Sequence, residues 1–298
     1  MSTPERLLLG FPESRDAARR VADRAGLPYA DIGVHRFPDG ESKLTLPPET
    51  ATHIILYRSL DRPHDKLVEL LLASRALRAR GVERLSLVAP YLCYMRQDRA
   101  FAPGEIVSQP IVGGWLADVF DDLITVDPHL HRISRLSEAV PARNAIALSA
   151  APAFVDYLQR QDGSKRVLLG PDSESAQWVG GIAQAAGLPW AVASKQRRGD
   201  RSVVVTLPDD IEFADRTVIL LDDMASTGRT LAAAAEQCRL RGASDIRVLV
   251  THALFVNDSL AHLRQSPISH IGSSDSIPHS TNVVSLAGLL AGALKNLA

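Results

Sequence analysis

Cysteine is nearly absent: Cys93 and Cys238 are the only two, far apart and without metal-type spacing. Neither a disulfide framework nor a zinc site is indicated, and the chain reads as cytoplasmic. An excess of one charge is missing as well. Lys and Arg total 33 against 34 for Asp and Glu, a formal net charge of -1. That balance rules out a generally basic nucleic-acid binder and leaves only a local patch open. Long apolar runs are also lacking. The uncharged stretch 175–194 is broken by Gln177, Gly180, Gly181, Gln184 and Pro189. The stretch 276–294 opens with Pro278, His279, Ser280 and Asn282. A bilayer span takes roughly 20 predominantly apolar residues, so neither qualifies and no membrane contact is expected. The opening MSTPERLLLG has no basic leader before a long apolar run, so no secretory signal is expected. No G-x-x-x-x-G-K-S/T, G-x-G or G-x-S-x-G occurs, which removes the P-loop, dinucleotide and serine-hydrolase readings.

With 298 residues, and roughly 150 to a domain, two domains of ordinary size are expected. Short runs rich in Val, Ile and Leu alternate with helical patterns, the signature of parallel α/β architecture. Strands are predicted at 6–9, 53–57, 85–89 and 123–126. A second series falls at 167–169, 191–193, 218–221, 246–251 and 270–272. Helices are predicted between them at 14–25, 64–80, 109–120, 151–161, 174–186 and 231–241. A terminal helix is predicted over 283–297, with an apolar stripe through Val284, Leu286, Leu289, Leu290 and Leu294. The two series are similar in order and spacing. Each holds a strand that runs into Pro, VAPY at 88–91 and LGPD at 169–172, which suggests an internal duplication joined near 141–151. Residues 195–210 combine a basic start with Gly199 and Pro208 and read as a mobile loop with room for a small β-ribbon.

The most informative segment is TVILLDDMASTGRTLAAAAEQCRL, residues 217–240. An apolar strand ends in Asp222 and Asp223, a turn of Ser226, Thr227, Gly228, Arg229 and Thr230 follows, and then a strong helix. Such a turn presents N–H groups and hydroxyls at the positive end of a helix dipole, where a phosphate is favoured. Two carboxylates beside it suit the hydroxyls of a sugar. The plainer reading is an ordinary helix cap at a βα junction, and the residues alone leave both open.

Taken together, these parts resemble the signature of the PRPP-binding fold, shared by type I phosphoribosyltransferases and ribose-phosphate diphosphokinases. Other segments separate the two. RFPDGES at 36–42, PYLCYMRQDRAFAPGEIVS at 90–108, VDPHLHRI at 126–133, GPD at 170–172, KQR at 195–197 and VTHALF at 250–255 stand in order. They resemble the ribose-phosphate diphosphokinase (PRPP synthetase) family over nearly the whole chain, and the FAPGE loop is closer to its short archaeal-type members. The resemblance implies two similar α/β domains, each a type I phosphoribosyltransferase-like core with a mainly parallel sheet flanked by helices. These would be 1–145 and 146–282, with a helix at 283–298 packing back on the first.

The resemblance also implies an activity: transfer of the β,γ-diphosphoryl group of Mg-ATP to the 1-hydroxyl of ribose 5-phosphate. Phe37, Asp39, Glu41, Arg96, Gln97 and Arg99 would bind ATP, near a subunit interface of a homo-oligomer. Asp222, Asp223, Ser226, Thr227, Gly228, Arg229 and Thr230 would bind ribose 5-phosphate. His129 and Asp172 would place Mg2+, and Lys195 and Arg197 would neutralise charge on the reacting phosphates. Arg198 and Arg201 read as solvated loop residues, and His131 as structural or exposed. Several positions depart from the family pattern. PDSESAQWVGG replaces a glycine-rich turn, Glu174 adds an acid there, Ser226 stands for a third acid, and Pro128 and Arg132 flank His129. They leave two alternatives: a paralogue using another pentose phosphate, and a non-catalytic regulatory partner.

Overall fold

The computed structural model describes residues 4–130, 132–161, 163, 165–197 and 203–297, in two units. The first comprises residues 1–149, 276–278 and 286–298, and the second comprises 150–275 and 279–285. His131, Arg198 and Arg201, each assigned a role from the sequence, lie outside the described residues, as does the Arg197 side chain.

In the first unit, β1 (Arg6–Gly10) leads to α1 (Arg15–Ala25), β2 (Tyr29–Asp31) and a hairpin of β3 (Gly33–Arg36) and β4 (Ser42–Thr45). Then come β5 (His53–Tyr57), α2 (Pro63–Ala79), β6 (Arg84–Val88), α3 (Ser108–Val119), β7 (Asp122–Val126) and β8 (Asn144–Leu148). Six of these strands form a parallel sheet in the order β2-β1-β5-β6-β7-β8. All five residues of β5 and of β7 are buried, as strands covered on both faces require.

The second unit opens with α4 (Ala151–Gln159), β9 (Arg166–Gly170), α5 (Ala176–Ala186) and β10 (Trp190–Val192). A hairpin of β11 (Ser194–Arg197) and β12 (Val203–Thr206) follows, then β13 (Thr217–Ala225) and α6 (Arg229–Leu240). The unit is completed by β14 (Asp245–Ala253), α7 (Ser259–Gln265), β15 (His270–Ser274) and β16 (Asn282–Val284). Its parallel sheet has the order β10-β9-β13-β14-β15-β16. The two sheets therefore share one strand order, and each unit carries one detached hairpin at the same point of its sequence.

The structure departs from two expectations. The Pro-containing echo joins non-equivalent strands, because VAPY follows β6, fourth in its sheet, whereas LGPD follows β9, second in its own. The segment equivalent to LGPDSES is LGFPES at 9–14, where β1 likewise ends in Gly and a 3-10 turn, Pro12–Ser14, precedes the helix. The terminal helix, α8 (Ala287–Lys295), begins four residues later than predicted. Asn282 and Val284 pair with Ser273 and Ser274 as the edge of the second sheet, so strand pairing overrides the helical stripe at Val284.

Helix α8 buries Ala287, Leu290, Ala291 and Leu294 and packs on α1, and Arg6 Nη2 donates to the Leu294 carbonyl at 2.8 Å. In the second unit α4 packs on α5 in the same way. The chain's last helix thus fills, in the first unit, the place that α4 fills in the second.

Candidate active site

The predicted sugar turn sits at the carboxyl edge of the second sheet. Strand β13 is longer than the apolar run predicts: it continues through Asp222 and Asp223 to Ala225, because β14 also extends to Ala253 and supplies pairing partners. The acids therefore lie within the strand, not beyond its end. The Asp223 N–H donates to Asp222 Oδ1 at 3.0 Å. Burial, then the carboxylates of Asp223 and Asp172, push the Asp222 carboxyl well above the usual carboxylate range. Three acids of one unit thus share a field that favours incoming hydroxyls or cations.

Beyond Ala225, the chain turns through Ser226, Thr227 and Gly228 into α6. Gly228 has φ 70°, and a Cβ there would lie 2.7 Å from Leu263 Cδ1, so both conformation and space call for glycine. No side chain caps α6. Its first-turn N–H groups, which include those of Arg229 and Thr230, lie at the positive end of the helix dipole. The Arg229 side chain is exposed and lines a groove of about 580 Å³ between α6 and α7, with Glu236, His262, Gln265 and Ser266.

Asp172 follows β9, where Gly170 lets Ser175 pack closely: a Cβ at Gly170 would collide with the Ser175 hydroxyl. Asp172 Oδ1 accepts from the Glu174 N–H at 3.2 Å and caps the 3-10 turn Ser173–Ser175, so the unusual PDSES segment is locally satisfied. The other oxygen, Oδ2, accepts from Lys195 Nζ at 3.1 Å. Lys195 lies on the first strand of the β11–β12 hairpin, opposite Val205. Two predicted site residues, a metal ligand and a cation for phosphate, are thus joined in an ion pair.

In the first unit, the segment FPDGE forms the tip of the β3–β4 hairpin. The Phe37 N–H donates to the Glu41 carbonyl at 2.8 Å, the Gly40 N–H to the Phe37 carbonyl at 3.0 Å, and the Glu41 N–H to Asp39 Oδ1 at 3.1 Å. Phe37 is 41% exposed and meets the His35 ring edge-on at 4.8 Å. A tight turn offering a free aromatic face and two exposed acids can stack a base and accept from its amino group.

Arg96 and Arg99 are exposed in the loop after β6, and the Arg99 guanidinium lies over the Phe101 ring at 4.3 Å. Gln97 is half-buried; its carbonyl accepts from the Gln109 N–H at the start of α3, at 3.2 Å. Arg132 approaches Asp98 at 3.4 Å, which gives this departure from the family pattern a local role. His129 is half-buried in the loop after β7.

Among the described residues, no three His, Cys, Asp or Glu side chains converge as a ready-made metal cage. The acids around Asp222 nevertheless match a hard cation that takes one or two carboxylates and keeps waters and phosphate oxygens.

A buried cluster beneath the first hairpin carries no sequence motif. Arg58, 1% exposed, donates through Nε to Glu13 Oε1 at 2.7 Å, through Nη1 to the Lys66 carbonyl at 3.2 Å, and through Nη2 to Glu69. The available signal was register. Leu9 pairs with Leu56 in one sheet as Leu169 pairs with Leu220 in the other, so Arg58 holds the place of Asp222.

Comparison with known proteins agrees with these features. A family model described as the N-terminal domain of ribose phosphate pyrophosphokinase matches residues 7–119, and a phosphoribosyl transferase domain model matches 139–273. The ribose-phosphate pyrophosphokinase of Methanopyrus kandleri is 33% identical, over 98% of this chain and 99% of that protein. That of Thermococcus kodakarensis is 29% identical, over 88% of this chain and 91% of that one. The crystal structure of phosphoribosylpyrophosphate synthetase from Mycobacterium smegmatis has the same fold: TM-score 0.82 over 99% of each chain, at 22% identity.

Proposed function

Because this chain belongs to the ribose-phosphate pyrophosphokinase family, we infer that it transfers the diphosphoryl group of ATP to ribose 5-phosphate, giving PRPP and AMP. The sugar's 1-hydroxyl oxygen forms a bond to the β-phosphorus, the bond from that phosphorus to the α-phosphate bridging oxygen breaks, and the hydroxyl proton is released. The observation that carries the reading is the glycine-led turn at 226–230 beside Asp222 and Asp223, in a chain similar to its relatives along almost its full length.

In this reading the uncapped N–H groups at the start of α6, with the hydroxyls of Ser226, Thr227 and Thr230, hold the 5-phosphate. Asp222 and Asp223 orient the ribose hydroxyls. Phe37 stacks on adenine, with Asp39 and Glu41 as acceptors, while Arg96, Gln97 and Arg99 grip the polyphosphate. The exposed tip of the hairpin favours a nucleotide site near a subunit contact of a homo-oligomer. Asp172 and His129 would hold magnesium, which supplies charge neutralisation on the phosphate oxygens when bound. Lys195 and Arg197 stabilise the charge that develops as the diphosphoryl group moves. In the free chain Lys195 rests on Asp172, so its reach to phosphate requires that this ion pair open. The two free, buried thiols, Cys93 and Cys238, both pushed up to about 12 by burial, support a cytoplasmic setting. Neither alternative activity is favoured, since a regulatory partner would have no use for Lys195, Asp222 and Asp223 together.

The test is purified protein with Mg-ATP and ribose 5-phosphate, with AMP and PRPP measured together. Absence of both products overturns the reading. Lys195→Ala is expected to lower kcat by roughly 100- to 1000-fold, the usual loss of one transition-state charge contact, while calorimetric affinity for ribose 5-phosphate holds. A fully active variant removes Lys195 from the mechanism.

A further inference from the structure

The β3–β4 hairpin belongs to neither large sheet, so its own turn hydrogen bonds cannot fix where its tip points. Its anchorage lies at the residues flanking the tip. Arg36 and Ser42 are cross-strand partners, the last pair before the turn 37–41. Both reach the same side chain. Ser42 Oγ donates to Glu69 Oε1 at 2.6 Å, and Arg36 Nη2 lies 3.4 Å from that oxygen. Arg36 also pairs with Asp65, one helical turn before Glu69 on α2, so two carboxylates on one face receive it.

Glu69 is itself immobilised. Its side chain is 1% exposed and its second oxygen is bound by the buried Arg58 guanidinium, which Glu13 also engages and which lies 3.9 Å above the Phe11 ring. A buried carboxylate paired in this way resists displacement, because freeing it would leave the buried Arg58 only half-compensated, by Glu13. Arg58 occupies the position that in the second unit carries Asp222. The first unit's copy of the acid position is therefore inverted in charge and neutralised from within.

We infer that Glu69 is a positioning residue for the nucleotide: it ties both flanks of the Phe37 turn to the buried Arg58 and so holds the adenine-stacking face in place. This rests on the reading of that turn as the nucleotide site. Glu69 touches no substrate. Its effect falls on ATP binding and not on the sugar.

Substituting Glu69 would leave the buried Arg58 with Glu13 as its one remaining carboxylate and endanger folding, so the test cuts the tie at its outer end. An Arg36→Gln, Ser42→Ala double variant removes both links and leaves the Arg58–Glu69 pair intact. The expected result is a rise of about tenfold in KM for ATP, with kcat and KM for ribose 5-phosphate within about twofold of the parent. Ser42→Thr, which keeps the hydroxyl, should retain parental KM for ATP when Arg36 is present. Phe37→Ala is measured beside them. If it raises KM for ATP while the double variant does not, the inference is overturned and the reading of the turn stands. If Phe37→Ala also leaves KM for ATP unchanged, the reading of the turn fails and the inference with it. A uniform loss, with both KM values and the melting temperature shifting together, makes Glu69 mere scaffolding and likewise overturns the inference.

Discussion

His53 lies at the amino-terminal edge of the first sheet, at the start of β5. Its Nε2 meets Ser86 Oγ at 2.7 Å, and Ser86 in turn donates to Asp122 Oδ2 at 2.6 Å, so the neutral ring donates. Arg84 holds both oxygens of Asp122, and Asn144 donates to one of them at 2.6 Å. Burial, then the positive charges of Arg6 and Arg84, pull the His53 pKa down to about 4, against opposing pulls from Asp122 and Asp121. The unfolded chain protonates near the ordinary 6.5, so the folded state loses stability as pH falls from there towards 4 and keeps all of it above. The difference amounts to roughly 3 kcal/mol at most, at 1.36 kcal/mol per pH unit. Asp122 does not contribute in this window: although burial opposes its charge, bonds from Arg84, Ser86 and Asn144 hold it below the ordinary carboxylate range. His53→Gln keeps an N–H donor and removes the titration. Its melting temperature should vary less between pH 6.5 and 4.5 than that of the parent, and equal slopes would refute the assignment. None of this was legible in the sequence, where His53 merely opens an apolar run; its partners come from β6 and β7.

At the scale of elements, the turn into α6 was the most legible part of the molecule, because everything it needs is consecutive: apolar strand, acids, small polar residues, glycine, helix. Its dependence on Gly228 has a measurable consequence. Gly228→Ala places a side chain at φ 70° and drives a Cβ against the buried Leu263. The left-handed conformation alone costs about 1–2 kcal/mol, and relief would displace the first turn of α6. Affinity for ribose 5-phosphate should fall at least about tenfold, equivalent to 1.4 kcal/mol, with ATP binding unaffected. Calorimetry with each ligand checks this, and undiminished sugar-phosphate affinity would count against a phosphate seat in this turn. Elements whose partners are remote were harder to foresee. Strand β8 has the alanine-rich sequence NAIAL and β16 has only three residues; both exist as sheet edges because β7 and β15 offer open backbone. The ribbon allowed for in 195–210 forms as β11 and β12, whereas the β3–β4 hairpin carries too little apolar pattern to announce itself.

On the scale of the whole molecule, the chain is two copies of one sheet order, completed unequally. The second unit has α4 ahead of its first strand, and the first unit borrows the end of the chain instead. Leu290 and Leu294 of α8 are fully buried, and each such side chain contributes about 1.5–3 kcal/mol. Truncation after Ser285 should therefore weaken the first unit while leaving the second intact. Hydrogen exchange gives the measurement: protection in α1 and β1 should drop, while β9 and β13 keep theirs. Unchanged protection in α1 would show that α8 is dispensable. The duplication itself is visible in the sequence as two similar series, but the Pro-containing tetrapeptides are out of register with it. Strand order, set by backbone pairing, aligns Gly10 with Gly170 and Arg58 with Asp222.

Properties that depend on neighbours along the chain could be read directly from residue order. They include the α/β alternation, the family's motifs, and a strand-to-helix turn whose helix dipole and glycine arise within a dozen residues. Properties that depend on desolvation could not, since burial is conferred by groups far off in sequence. Ser42 reaches Glu69 across 27 positions, Lys195 reaches Asp172 across 23, and His53 reaches Ser86 across 33. Only folding brings these pairs together and withdraws them, wholly or in part, from water; apart, their charges and hydroxyls would be ordinary surface groups.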